Sequence, residues 1–166
     1  MLISAEVLRI HIDYTAWASQ RLMEAIAHLN ADELWRDFGT ADKSVLGTLV
    51  HTFAADRFWM GRIDGNLPAR FIDQEKDMHV HVLRDDWPAV HARWKKWAAA
   101  LSDDGVAQPL IYKDMKGNDH STPLWQVAMH VVNHATHHRG QVAGFLRSMG
   151  HTPPVLDLIA YYRTLQ

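Results

Sequence analysis

The sequence contains no cysteine. A disulfide framework, a thiolate metal site and a cysteine nucleophile are therefore all excluded. The absence also fits a reducing compartment, so we expect a cytoplasmic protein. The first residues carry no basic segment followed by an apolar block, and we therefore expect no signal peptide. Any thiol chemistry would need a thiol from outside the chain.

The sequence also lacks an excess of positive charge and a long apolar run. Its formal net charge is −2 with neutral histidines and its pI is about 6.6, which argues against a surface for nucleic acid. No uncharged apolar run approaches the roughly 18 residues of a membrane span. We therefore expect a small-molecule partner, with neither nucleic acid nor a membrane. The 166 residues fit one domain, 1–166.

Apolar residues recur at helical spacing in four long segments. The predicted helices cover residues 4–29, 44–63, 87–101 and 122–149, and residues 69–85 are predicted to be mostly loop. Ser4 and Thr122 are candidate N-caps, Pro123 fits a first helical position, and Gly150 fits a helix end. A short hairpin is predicted around residues 116–118 and a short last helix from residue 158. Four long helices predict an all-α protein with a four-helix bundle.

Histidine is unusually frequent, with twelve in the chain. Four of them, His130, His134, His137 and His138, fall within nine positions of the fourth predicted helix. At 100° per residue all four lie within an arc of about 100° on one face. Two histidines four positions apart can bind one metal ion, at about 2.0–2.1 Å each for zinc. The cluster therefore predicts a metal site.

A further ligand has to come from elsewhere, and His51 in the second predicted helix is the best candidate. Three imidazoles and an open position are typical of a catalytic metal site. Spacing alone does not choose the pair on the fourth helix. His130 with His134, His134 with His138, and His134 with His137 are all possible.

Three segments resemble one known family. The strongest is STPLWQVAMHVVNHATHHRGQVAGFLRSMG (residues 121–150), in which NHATHHRGQ is close to a family signature. YTAWASQRLMEAIAHL (14–29) and LVHTFAADRFWMGRI (49–63) match two further recurrent patterns. The sequence resembles the DinB/YfiT-like metalloprotein superfamily over most of its length.

The resemblance implies a bundle of the up-down-down-up type, often a homodimer, that holds a divalent metal. The second helix supplies one ligand and the H-x-x-x-H of the fourth supplies two, which gives His51, His134 and His138. His137 is then expected beside the site and His130 one turn below it. Asp56 stands where the family often has glutamate, and we assign it no role.

The resemblance also implies an activity. Known activities in the superfamily include thiol-dependent transfer and isomerisation, with low-molecular-weight thiols such as bacillithiol, mycothiol or glutathione. We therefore expect a metal-dependent thiol transferase. Zinc or nickel is the expected ion, with iron and manganese as alternatives. Arg139 and Gln141 are candidates to hold the thiol, although both fit ordinary packing roles as well. The alternatives are a non-catalytic metal-binding stress-response protein and a metal-dependent hydrolase, and the sequence leaves turnover itself open.

Overall fold

The computed structural model describes residues 3–72 and 77–166. Four long helices dominate it, which confirms the predicted all-α bundle, and a two-stranded sheet precedes the last long helix. The elements are α1 (Ala5–Ile26), α2 (Ala31–Trp35), α3 (Val45–Asp64), α4 (Val80–Ala100), β1 (Pro109–Lys113), β2 (Asp119–Pro123), α5 (Leu124–Ser148) and α6 (Leu158–Arg163). In this part of the chain, none of the helices has the length and apolarity needed to cross a bilayer.

Side-chain contacts give the direction of the long helices. Near the start of the shared interface Phe53 of α3 lies against Trp87 of α4, and further along Asp64 pairs with Arg93. Residue numbers rise together in these contacts, so α3 and α4 are parallel.

Two further interfaces pair helices that run antiparallel. Arg9 of α1 donates to the carbonyl of Ala98 in α4, whereas Asp13, one turn later, pairs with Lys95. Residue numbers rise along α1 as they fall along α4, so these helices are antiparallel. The contacts of α3 with α5 run antiparallel as well: His51 lies beside His138, and Trp59 beside His130. The bundle is therefore of the up-down-down-up type.

The start of α4 differs from the prediction. The helix begins at Val80 and not at residue 87, so the loop prediction was wrong for residues 80–85. Leu83, Trp87 and Val90 form a buried stripe that holds the first turns against the bundle. Pro88 lies inside the helix on its exposed side, where loss of one backbone donor is tolerated because water can solvate the freed carbonyl. Residues 73–76 of the predicted loop lie outside the described residues.

The hairpin is confirmed, and it extends further than predicted. The register runs from Pro109 opposite Pro123 to Lys113 opposite Asp119. Thr122 therefore belongs to β2, and the prediction that it caps α5 was wrong. Its hydroxyl lies 3.4 Å from the Tyr112 hydroxyl. Pro123, predicted at the first helical position, is instead the last residue of β2, and α5 begins at Leu124 without a side-chain cap.

The other helix ends follow from local chemistry. The Ser4 hydroxyl accepts a hydrogen bond from the Val7 amide, as predicted. Gly150 ends α5 with φ of 89°, a left-handed conformation that glycine adopts easily. The first helix stops at Ile26 and not at residue 29, because Asn30 caps α2 through a capping box with Glu33.

Asp56 joins α3 to α4 inside the bundle. Its residue is 1 % exposed, and the indole Nε1 of Trp87 donates to Oδ2 at 2.8 Å. The indole of Trp94 donates to the Asp56 carbonyl at 3.1 Å. Its other carboxylate oxygen, Oδ1, has no hydrogen-bond partner in the described structure. The carboxylate thus satisfies one buried indole donor, which gives it a structural role at this interface.

Replacing Asp56 tests how much the fold depends on this acceptor for the Trp87 indole. Asp56→Ala leaves the buried Trp87 N–H without its acceptor, and we expect a loss of about 2–3 kcal/mol in the free energy of unfolding. Asp56→Asn keeps a carbonyl oxygen of the same size and should lose clearly less. Urea denaturation of the metal-free protein measures both. Equal stability of the two variants would show that the acceptor does not matter.

Candidate metal centre

Three histidines from two helices meet at one point. His51 lies on α3, and His134 and His138 lie one turn apart on α5. The Nε2 atom of His134 is 3.1 Å from Nε2 of His51 and 3.2 Å from Nε2 of His138. One nitrogen from each ring belongs to a group whose members all lie within 4.8 Å of one another. The structure therefore brings together the three ligands that the family resemblance implied.

The spacing of these nitrogens suits a metal ion. With bonds of about 2.0–2.1 Å, tetrahedral angles place two ligand nitrogens roughly 3.3 Å apart. The distances of 3.1 and 3.2 Å are close to that value. The three-histidine site can therefore hold a divalent metal, and three protein ligands leave room for a molecule from outside.

Gln141 fixes the orientation of His138. The Nδ1 atom of His138 lies 2.7 Å from Oε1 of Gln141. A carbonyl oxygen only accepts, so Nδ1 carries the proton and donates. In a neutral ring Nε2 then keeps its lone pair, which faces the other two histidines. Such a partner on the outer nitrogen is usual for a metal-binding histidine.

Burial keeps two of the rings neutral. Burial, together with the neighbouring His138 and His51, lowers the pKa of His134 to about 4. Burial likewise lowers the pKa of His138, although its contact with Gln141 acts in the other direction. Both imidazoles are therefore neutral at pH 7, which is the form that binds metal.

His51 connects the nitrogen cluster to an open cleft of about 650 Å³. The His51 side chain is 45 % exposed and forms part of the cleft wall. Trp35 and Phe71, both more than half exposed, lie on the same wall, and Ile72 and Met78 add further apolar surface. A small molecule in this cleft would contact His51 directly.

The two remaining histidines of the cluster lie outside the group of three. His137 is exposed, with its ring 5.0 Å from that of His138. His130 is exposed one turn below His134, and its ring lies 5.6 Å from Trp59. The structure therefore distinguishes the pair His134 and His138 from the alternatives that spacing left open.

Arg139 lies on a different side of α5. It is 2 % exposed, and its guanidinium donates to the Thr136 hydroxyl at 2.9 Å and lies over the Tyr14 ring of α1. It does not line the cleft, and this position does not support the predicted contact with a thiol. The side chain of Gln141 is engaged with His138, so for Gln141 a thiol contact stays a prediction.

Asp42 is a site residue that the sequence analysis missed. Its carboxylate lies between two of the ligand rings, with Oδ1 at 3.7 Å from Nδ1 of His51 and Oδ2 at 3.8 Å from Nδ1 of His138. It stands in the loop before α3, where no periodic pattern marks it. The sequence offered one signal for Asp42, which is its place just before the helix cap Ser44 and nine residues before His51.

Comparison with known proteins agrees with this fold. The sequence model of the DinB family matches residues 6–165. The chain belongs to the DinB family. It is 20 % identical over 156 residues to Protein DinB of Bacillus subtilis (strain 168), an alignment that covers 90 % of each chain. It also resembles the crystal structure of a DinB-like protein from Bacillus cereus ATCC 10987, with a TM-score of 0.65 and 19 % identity over 93 % of this chain and 99 % of that one. The structural likeness supports the fold of this DinB-family chain.

The three-histidine assignment predicts a sharp difference among neighbouring residues. His134→Ala removes the central nitrogen and should weaken metal binding by more than the roughly 10–100-fold that loss of an outer partner costs. His137→Ala removes an adjacent exposed imidazole and should leave the metal content unchanged. Elemental analysis after dialysis against the same metal solution compares them. Equal metal content in the two variants would contradict the assignment.

The low pKa of His134 predicts a pH effect on the metal-free fold. Its pKa is about 4 in the folded protein and near the ordinary 6.5 when unfolded. The unfolded chain therefore binds the proton first, so this contribution to stability is complete above pH 6.5 and is lost as the pH falls towards 4. The urea midpoint of chelator-treated protein should decrease over this range, and less steeply in His134→Gln. Identical pH profiles would rule out His134 as the cause.

Proposed function

We propose that this DinB-family protein is a metal-dependent transferase that joins a low-molecular-weight thiol to a small electrophilic substrate. The observation that supports it most is the convergence of three imidazole nitrogens beside an open cleft. A closed structural site would use four protein ligands. Here the fourth position is left for a molecule that enters from solvent, and the chain has no thiol of its own.

Zinc or nickel is the proposed ion. An imidazole set without a carboxylate ligand suits zinc, nickel, copper and iron better than manganese or magnesium. When bound, such an ion supplies Lewis acidity that favours the thiolate form of a thiol at neutral pH. The protein supplies a neutral, partly buried ligand set, because His134 and His138 resist protonation.

The cleft supplies the position of the electrophile. Exposed Trp35 and Phe71 offer flat apolar surfaces for an aromatic or alkyl group, and His51 marks the end nearest the ligand nitrogens. In the proposed reaction the thiol sulfur forms a bond to an electrophilic carbon of the substrate. The bond from that carbon to its leaving group breaks, the leaving group departs with the electron pair, and the thiol proton passes to solvent.

A thiol survey tests the proposal. Protein loaded with zinc or nickel is mixed with glutathione, bacillithiol or mycothiol and a chlorinated nitroaromatic, and thioether formation and chloride release are followed. We expect at least one thiol to react faster with the protein than without it, and His134→Ala to return the rate to background. Rates equal to those of His134→Ala with all three thiols would argue against the transferase. Substrate loss without any thiol would favour the hydrolase instead.

A further inference from the structure

We propose that Asp42 is a positioning residue. Its carboxylate orients the rings of His51 and His138 so that each Nδ1 atom faces Asp42 and each Nε2 atom faces the ion. The inference rests on the metal centre of the proposed function, although not on the transfer reaction. It concerns a carboxylate that is no ligand itself, in a loop that precedes α3.

The carboxylate bridges two rings that come from different helices. Oδ1 lies nearest Nδ1 of His51, and Oδ2 nearest Nδ1 of His138, at 3.7 and 3.8 Å. These distances exceed those of a direct hydrogen bond, so the interaction is electrostatic. The Asp42 side chain is 21 % exposed, and solvent screens it less than it would a fully exposed charge. A negative group here favours a proton on each Nδ1.

Among the described residues, no other group competes with Asp42 for the proton on Nδ1 of His51. His138 already donates from Nδ1 to Gln141. No hydrogen bond from another described residue reaches Nδ1 of His51, which makes Asp42 its nearest charged partner. With the proton on Nδ1, the lone pair of His51 lies on Nε2, which is the atom in the nitrogen cluster.

The result is a cluster that favours a cation. Lone pairs of His51 and His138 both face Nε2 of His134, at 3.1 and 3.2 Å. A single N–H on His134 could serve one of them but not both. A metal ion accepts all three lone pairs at once, so the outer carboxylate prepares the inner nitrogens for metal binding.

Three local features of the backbone fix the position of Asp42. Its carbonyl accepts from the Ser44 amide at 2.7 Å. Gly47 lies so close that a Cβ there would overlap the same carbonyl oxygen. Between Asp42 and Ser44, Lys43 adopts φ of 62°, a left-handed conformation that is uncommon for a residue with a side chain. Together these features hold the loop in contact with the first turn of α3, the helix that contains His51.

The same loop is tied to α5. Phe38 stacks on Phe145 with ring centroids 4.2 Å apart and an angle of 6° between the planes, and the Phe38 amide donates to the Lys43 carbonyl. Phe145 lies two turns beyond His138 on the same helix. The loop therefore spans both helices that supply ligands, and Asp42 sits where it can act on a ring from each.

A Co²⁺ titration of the full-length protein tests the role without relying on turnover. Visible absorption of bound Co²⁺ gives both the affinity and the ligand environment, and thermal unfolding of the metal-free protein reports on folding. Asp42→Asn keeps the size of the side chain and removes its charge. We expect it to bind Co²⁺ about tenfold more weakly, with an altered spectrum and an unchanged Tm. Asp42→Glu should recover part of the affinity.

Asp37→Asn is the matched control, because it removes the same charge from the same loop at a residue that caps a turn instead of facing a histidine. It should bind Co²⁺ within twofold of the wild-type protein. Equal affinity of Asp42→Asn and Asp37→Asn, whether both are normal or both weakened, would overturn the role of Asp42. If the wild-type protein binds no Co²⁺, the metal centre itself is wrong. Failure of thiol transfer alone would leave the inference standing.

Two further variants test the same idea and leave the Asp42 carboxylate in place. Gly47→Ala has to displace the Asp42 carbonyl and should weaken Co²⁺ binding in a protein that remains helical by circular dichroism. Lys43→Gly adopts the same positive φ without strain and should keep the wild-type affinity. Full affinity in Gly47→Ala would show that the placement of Asp42 by the backbone is not needed.

Discussion

The packing of α3 against α5 is the constraint on which the site depends. His51 reaches the other two rings because the helices run antiparallel at a separation that leaves the Nε2 atoms 3.1 Å apart. Buried apolar residues lie immediately beside the ligands in sequence, Val50 next to His51 and Ala135 next to His134. The apolar core therefore fixes the two backbones, and hydrogen bonds such as that from His138 to Gln141 set the rotation of the rings. Loss of the interface would separate the ligands even if each helix stayed intact.

Four buried or half-buried polar side chains are distributed over three helix interfaces. Arg139 faces α1, Asp56 faces α4, and His134 and His138 face α3. Such groups have to be solvated by specific partners, since an unpaired polar group in the interior is unfavourable. Rotation of α5 about its axis would separate Arg139 from Tyr14 and the two histidines from His51. The polar side chains thus restrict how α5 can rotate, and this rotation decides which of its four clustered histidines meet His51.

The sequence alone could predict the parts of the site that lie within one helix. The four-residue spacing of His134 and His138 places both rings on one face, whatever α5 packs against. The choice between that pair and His130 with His134 was beyond spacing, because it depends on the rotation of α5 against α3, and the family resemblance supplied it. Arg139 was a candidate for the thiol because it follows His138, yet one residue is a rotation of 100° and turns it to α1. Asp42 was missed because its position depends on Lys43, in a loop without periodicity, and on Gly47 in the first turn of α3.

The charge of the site bears on what it can bind. Imidazole binds a metal in its neutral form and so adds no charge to a divalent ion, and burial keeps His134 and His138 neutral. One carboxylate, Asp42, lies just outside the ligand rings and offsets part of the positive charge. The positive charge that remains at the metal centre favours an anionic ligand over a neutral one of the same size at the open coordination position. A thiolate meets this requirement, and the apolar side of the cleft at Trp35 and Phe71 suits an uncharged second substrate. The electrostatics and the apolar surface of the cleft thus suit different partners, in keeping with the proposed two-substrate transfer.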